Sequence, residues 1–204
     1  MFLKTALLHI TIIMIDLPTP EKLAAANAVL ASLQDTIQRD LLGATEGTDP
    51  QPLNLTMKGI HGGFGEQDAE QLKKVGILHC DIEKDANFEI LASISHTIIN
   101  GLLEGGVLEQ KDLKNISYDA SRKMYLPDQF HMTVIRAVRK PIDARQLIQD
   151  FGDSSLGTFQ LREIHIKNRA LFSDGKVKKH RDLFDKDSEA TFACEGKLKL
   201  TKDS

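Results

Sequence analysis

The 204-residue sequence predicts an α+β fold in two lobes, and three observations carry that expectation. Segments with period-two alternation or β-branched content recur between segments with helical period. Their order is strand–helix–strand–strand–helix, then strand–helix–strand–strand, which suits helices covering one face of antiparallel sheets. The composition, 41% hydrophobic and 27% charged, supplies a sizeable core and makes no case for global disorder.

Residues 6–15, "ALLHITIIMI", read as a strand through their β-branched content. Lys4, this run and the alanines at 24–26 also outline a secretory leader. Against that stand His9 inside the run, the single preceding basic residue, and the alanines' place within an amphipathic helix. Thr19 is a natural N-cap with Pro20 in the first turn. Leu23, Ala26, Leu30, Leu33, Ile37 and Leu41 then mark one helical face that ends near Gly43. "LNLTMKGI" at 53–60 alternates with period two, "HGGFGEQD" is a glycine-rich turn, and "VGILHCDI" at 75–82 is the next strand.

Asp85 caps a second helix whose face is Phe88, Leu91, Ile94 or Ser95, Ile98 and Leu102, closed by Gly105 and Gly106. A charged stretch from Glu109 to Asp128 leads to the strand "FHMTVIRAV" at 130–138. A short helix, "DARQLIQDF", precedes "GTFQLREIHIKNRALF" at 157–172, which reads as one long strand; "ATFACEGKLKL" is the last. The intervening "GKVKKHRDLFDKDSEA" reads as a charged hairpin insertion over 176–189, although its "KKHR" also fits a short basic nuclear-import pattern. The lobes fall at about 1–108 and 129–204 of one domain.

The formal net charge of -3 gives no broad attraction to duplex DNA or anionic membrane, so a nucleic-acid ligand would be met at a local site. No apolar run reaches the length of a membrane span. Cys80 and Cys194 lack metal or redox spacing and sit in strand-like runs, so both read as reduced core thiols. "HGGFG" follows neither P-loop nor dinucleotide spacing, and His61, His96, His165 and His180 show no zinc-ligand spacing.

The informative pattern is a repeated one. "LHITI" and "FHMTV" each place a histidine and a threonine two residues apart within an apolar strand. Strand alternation gives His9 and Thr11 one face, and likewise His131 and Thr133, with apolar residues behind. One such segment reads most simply as a core histidine bonded to its neighbours; two suggest a site. Two imidazoles, one as base and one as acid, bracket a phosphodiester, and hydroxyls beside them hold its non-bridging oxygens. That chemistry requires neither metal nor cofactor. His79 and Asp81 share a face of their strand, as base contacts or as an exposed edge pair, and Arg136 and Arg139 stand where they meet phosphate or merely end a strand.

The paired segments, with "PLNLTMKGI", "VGILHCDI", "GTFQLREIHIKNRALFSDG" and "FACEGKLKL" in order, resemble the two-histidine (2H) phosphoesterase superfamily. The likeness is to the branch holding A-kinase anchoring protein domains and the phosphoesterase domain of a transcription cointegrator. It implies the bilobal LigT-like fold, two antiparallel sheets lining a central groove with helices outside. It implies His9, Thr11, His131 and Thr133 as catalytic residues and an RNA end or small nucleotide as ligand, with 2′,3′-cyclic phosphates and 2′,5′ linkages among the substrates. Non-catalytic nucleotide binding, or a scaffold role in a helicase-containing cointegrator complex, nuclear or cytoplasmic, is the alternative it leaves open. The resemblance also implies a strand–helix unit, and in the cointegrator relative a KH module, ahead of the first motif; eight residues precede His9 in this sequence, so the expectation is that the unit is missing or the start truncated.

Overall fold

Helix α1, Pro20–Thr36, begins where its capping residues place it. The Thr19 hydroxyl accepts from the Lys22 backbone N–H at 3.3 Å, and Pro20 fills the first turn, where a missing N–H costs nothing. One π turn, Ile37–Leu41, continues it toward Gly43. The computed structural model describes residues 3, 8–63, 68–137, 140–173, 176–178 and 191–201. In it follow strands β1 (Leu53–Gly62) and β2 (Ile77–Ile82), then helix α2 (Ala86–Glu104), whose cap Asp85 accepts from the Phe88 N–H at 2.9 Å. A hairpin, β3 (Ile116–Asp119) and β4 (Met124–Pro127), leads to β5 (His131–Arg136) and α3 (Arg145–Phe151). The chain ends in β6 (Ser155–Leu161), β7 (Glu163–Ser173), β8 (Lys176–Lys178) and β9 (Thr191–Lys199).

The main sheet is antiparallel in the order β5–β2–β1–β6, so the first and last parts of the chain interleave within it. A second antiparallel sheet has the order β8–β7–β9. Leu53, Leu55, Met57, Cys80 and Ile82 from the first sheet and Leu198 and Leu200 from the end of the chain meet α1 and α2 in one core. A smaller cluster of Val75, Leu78, Ile135 and Ala144 lies under α3. This is the α+β class the sequence predicts, built among the described residues as two larger sheets, the β3–β4 hairpin and three α-helices.

Four local expectations need correction. The run 157–172 is not one strand: β6 pairs with β1, β7 pairs with β9, and the Arg162 carbonyl between them accepts from Leu200 N–H at 2.8 Å. The break leaves a sequence trace, because the core-packed positions change phase from Phe159 and Leu161 to Ile164 and Ile166. The charged stretch 109–128 holds the β3–β4 hairpin, which lacks clean alternation. Its turn is closed by Asp119, which accepts from the Ser121 and Arg122 N–H groups, and it is tied to α2 where His96 Nδ1 accepts from Tyr125 N–H at 3.1 Å.

The third correction concerns residues 8–15, which form an isolated bridge, Ile10 opposite Met132, rather than a full strand. Ile12 and Ile13 both pack on the core, so period two fails beyond Thr11. The Leu3 N–H nevertheless donates to the Val134 carbonyl at 2.9 Å, keeping this segment beside β5. Fourth, only Cys80 is a core thiol, and burial pushes it up to about 11; Cys194 is exposed. Arg139 and most of the expected hairpin 176–189, with its basic import pattern, lie outside the described residues.

Helix α1 closes the core by gripping β9. Asn27 Nδ2 donates to the Glu195 carbonyl at 3.0 Å and Gln38 Nε2 to the Lys199 carbonyl at 2.9 Å. Gly196 faces Asn27 so closely that a Cβ there would overlap the amide. Gly196→Ala is therefore expected to lower stability by about 1–3 kcal/mol as an overpacking change. A urea midpoint that falls with an unchanged slope is the measurement that checks it.

Candidate functional site

The site grows out of β2. Leu78, Cys80 and Ile82 are buried on one face, which leaves His79 and Asp81 on the other. Register then sets His79 opposite His61 of β1 on one side and opposite Thr133 of β5 on the other, with Asp81 opposite His131. Three imidazoles thus cross three neighbouring strands. The His61 and His79 ring centroids are 5.8 Å apart, and those of His79 and His131 are 5.3 Å apart, edge to face.

His61 reaches this face through a bulge. Strict alternation from Leu53, Leu55 and Met57 would turn residue 61 into the core. Instead the register shifts between Lys58 and His61, around Gly59 at φ +67°. Only glycine adopts that conformation without strain, and a Cβ there would also meet the His61 ring. The sequence carried a usable signal, a glycine inside an alternating strand, which marks a bulge.

Polar contacts knit the rings together. Gln129 Nε2 donates to Asp81 Oδ1 at 2.8 Å and meets His79 Nε2 at 3.1 Å, so that nitrogen is an acceptor. Asp81 carries its two oxygens toward His79 (3.6 Å) and His61 (3.8 Å). The Gln129 carbonyl accepts from His131 Nδ1 at 3.3 Å. His79 is only 2% exposed, and burial holds it down at about 4, with the charges of His131 and His61 acting in the same direction and Asp81 against them. The central ring is therefore neutral at physiological pH.

The expected residues fall as follows. Ile10 and Met132 pack on the core and face one another across an antiparallel bridge, so alternation turns their neighbours His9, Thr11, His131 and Thr133 to the opposite side. His9 is exposed, while Thr11, His131 and Thr133 are half-buried. His79, read from sequence as a base contact or an exposed edge pair, is buried in an inner strand. Arg136 lies opposite Ile77 and shares by register the face of His79. The sequence reading passed over His61, Gln129 and the anchoring role of Asp81. Among the described residues no group of three or more His, Cys, Asp and Glu is arranged to hold a metal ion, and no helix is long and apolar enough to cross a membrane.

The antiparallel α+β fold is consistent with that of a 2H phosphoesterase domain. The sequence profile of the AKAP7 2'5' RNA ligase-like domain matches residues 1–179, and the chain belongs to that family, within the 2H phosphoesterase superfamily. No curated protein matches it in sequence.

The buried neutral His79 makes stability depend on pH. Its folded value, about 4, lies below the ordinary 6.5, so between these the unfolded chain binds more protons. Stability from this residue is complete above about pH 6.5 and is lost as pH falls toward 4, amounting to roughly 3 kcal/mol. Urea unfolding of wild type and His79→Gln across that window checks it: the wild type loses the extra stability and the variant does not.

Proposed function

We propose that this face binds and cleaves a phosphodiester at an RNA end or in a small nucleotide, of the 2′,3′-cyclic or 2′,5′-linked kind. The observation that carries the reading is the Ile10–Met132 bridge, because it brings the two His-x-Thr segments side by side on adjacent antiparallel chains. With its Nδ1–H given to the Gln129 carbonyl, a neutral His131 has its lone pair on Nε2, which suits a general base acting on water. His9, exposed, then supplies the acid that protonates the departing ribose oxygen. The hydroxyls of Thr11 and Thr133 donate to non-bridging oxygens, where negative charge grows in the transition state. Arg136 adds positive charge at the same face. His79 works from beneath, fixing Gln129 and thereby the carbonyl that sets the tautomer of His131.

A panel of 2′,3′-cyclic nucleotides and 2′,5′-linked oligonucleotides tests the proposal. His9→Ala and His131→Ala are each expected to lower turnover by about 10²–10⁴-fold with unchanged melting temperature. Full activity in either single variant on every substrate that wild type cleaves sinks the mechanism. Tight nucleotide binding by calorimetry with no product formed moves the function to ligand sensing. The likeness to the cointegrator branch makes a helicase-containing nuclear assembly the partner to test by affinity capture with the intact chain.

A further inference from the structure

A second group of reactive side chains lies on the other sheet, away from the histidine face. Along β7 and β9 the residues Ile164, Ile166 and Leu198 point to the core, as does Gly196 against α1, and Glu163, His165 and Lys197 point away. Plain alternation would send Cys194 inward with Gly196 and Leu198. The ladder slips between Ile166 and Lys167, so that Gly196 pairs with Ile166 but Cys194 with Lys167. This bulge turns the thiol outward, onto the face that carries His165.

The result is an ordered chain of hydrogen bonds. Lys197 Nζ donates to Glu163 Oε1 at 2.9 Å, and Glu163 Oε2 lies 2.7 Å from His165 Nε2. The Lys197 and His165 contacts hold the Glu163 carboxyl below its ordinary range, so it is ionised at neutral pH and can only accept. His165 therefore carries a proton on Nε2, and in its neutral form presents a lone pair on Nδ1. That atom lies 3.6 Å from Cys194 Sγ, which also lies 3.4 Å from the Gly196 carbonyl. Nucleophile, base and orienting carboxylate stand in the order that activated thiols use.

We propose that Cys194 is a site of thiol–disulfide exchange, with His165 as its base and Glu163 as the residue that positions His165. The reactant is a small-molecule disulfide. The Sγ proton passes to His165 Nδ1, and Sγ attacks one sulfur of the disulfide. The S–S bond breaks as the Cys194 mixed disulfide forms, and the departing thiolate takes the proton back from His165. The cysteine is oxidised and half of the disulfide is reduced to free thiol, with no other reactant. Such a modification adds bulk and polarity beside the Glu195 carbonyl that Asn27 of α1 holds.

Glutathione disulfide with the intact chain is the probe, and peptide mass mapping is the readout. The chain has two cysteines, so the expected result is one modification, at Cys194, with buried Cys80 unmodified under native conditions. His165→Ala is expected to slow the reaction about tenfold at pH 7. Glu163→Ala slows it similarly, whereas Glu163→Gln, whose amide oxygen still accepts from Nε2–H, restores most of the rate. Circular dichroism on each variant reports the fold, and the Gln-against-Ala comparison separates positioning from general loosening. Equal rates in wild type, His165→Ala and Glu163→Ala show a merely exposed thiol and overturn the proposal. So does modification of Cys80 at the same rate. Phosphodiesterase activity does not enter the readout, so failure of either proposal is read separately.

Discussion

The apolar backing of β1, β2 and β5 is the constraint on which the histidine face depends. Leu55, Met57, Cys80, Ile82 and Met132 have to meet the core, and with a period of two any slip by one residue turns a strand's whole apolar set away from it. A slip by one residue would bury charged and hydrogen-bonding groups and expose apolar ones. The observed register puts His61, His79, Asp81 and His131 together. The proximity of these polar groups is thus a by-product of how their neighbours avoid water. The polar side then stabilises itself, because Gln129 ties Asp81 and His79 across the strand entry.

Two bulges modify that rule, and each redirects one side chain. The first, at Gly59, takes His61 from the core side to the histidine face; the second, near Gly196, takes Cys194 from the core side to His165. Both have a glycine close at hand, for different reasons. Gly59 supplies a left-handed backbone, whereas Gly196 supplies room for α1. Insertion of a single residue into a ladder is a small change in backbone, yet it reverses which environment a titratable group meets.

Much of this was legible before coordinates. Capping residues Thr19 and Asp85, the two amphipathic helices and the paired His-x-Thr segments follow from local chemistry alone, and the helices stand where their caps put them. What escaped was whatever depends on phase. His61 reads as part of a glycine-rich turn and Cys194 as a core thiol in a strand-like run, and nothing local shows the bulge that turns each onto its polar face. The join at Arg162 was missed although the apolar positions change parity there. The β3–β4 hairpin is hard to read because all four residues of β4 are half-buried and β3 is half-buried only at its ends, so neither strand prints a period of two. The neutrality of His79 lay beyond sequence, since it requires knowing that β2 is an inner strand.

The grip of α1 on β9 has a consequence for how the chain acquires its shape. The bonds from Asn27 to Glu195 and from Gln38 to Lys199 join residues 168 and 161 positions apart. Contacts of such sequence separation carry a large loop-closure cost and slow the folding of domains that rely on them. Helix α1 forms early from local signals, but its buried face has no complete partner until the final strand arrives. On the ribosome, Ala26 and Leu30 would wait through most of synthesis with their apolar surface uncovered, a substrate for chaperones until the last strand docks.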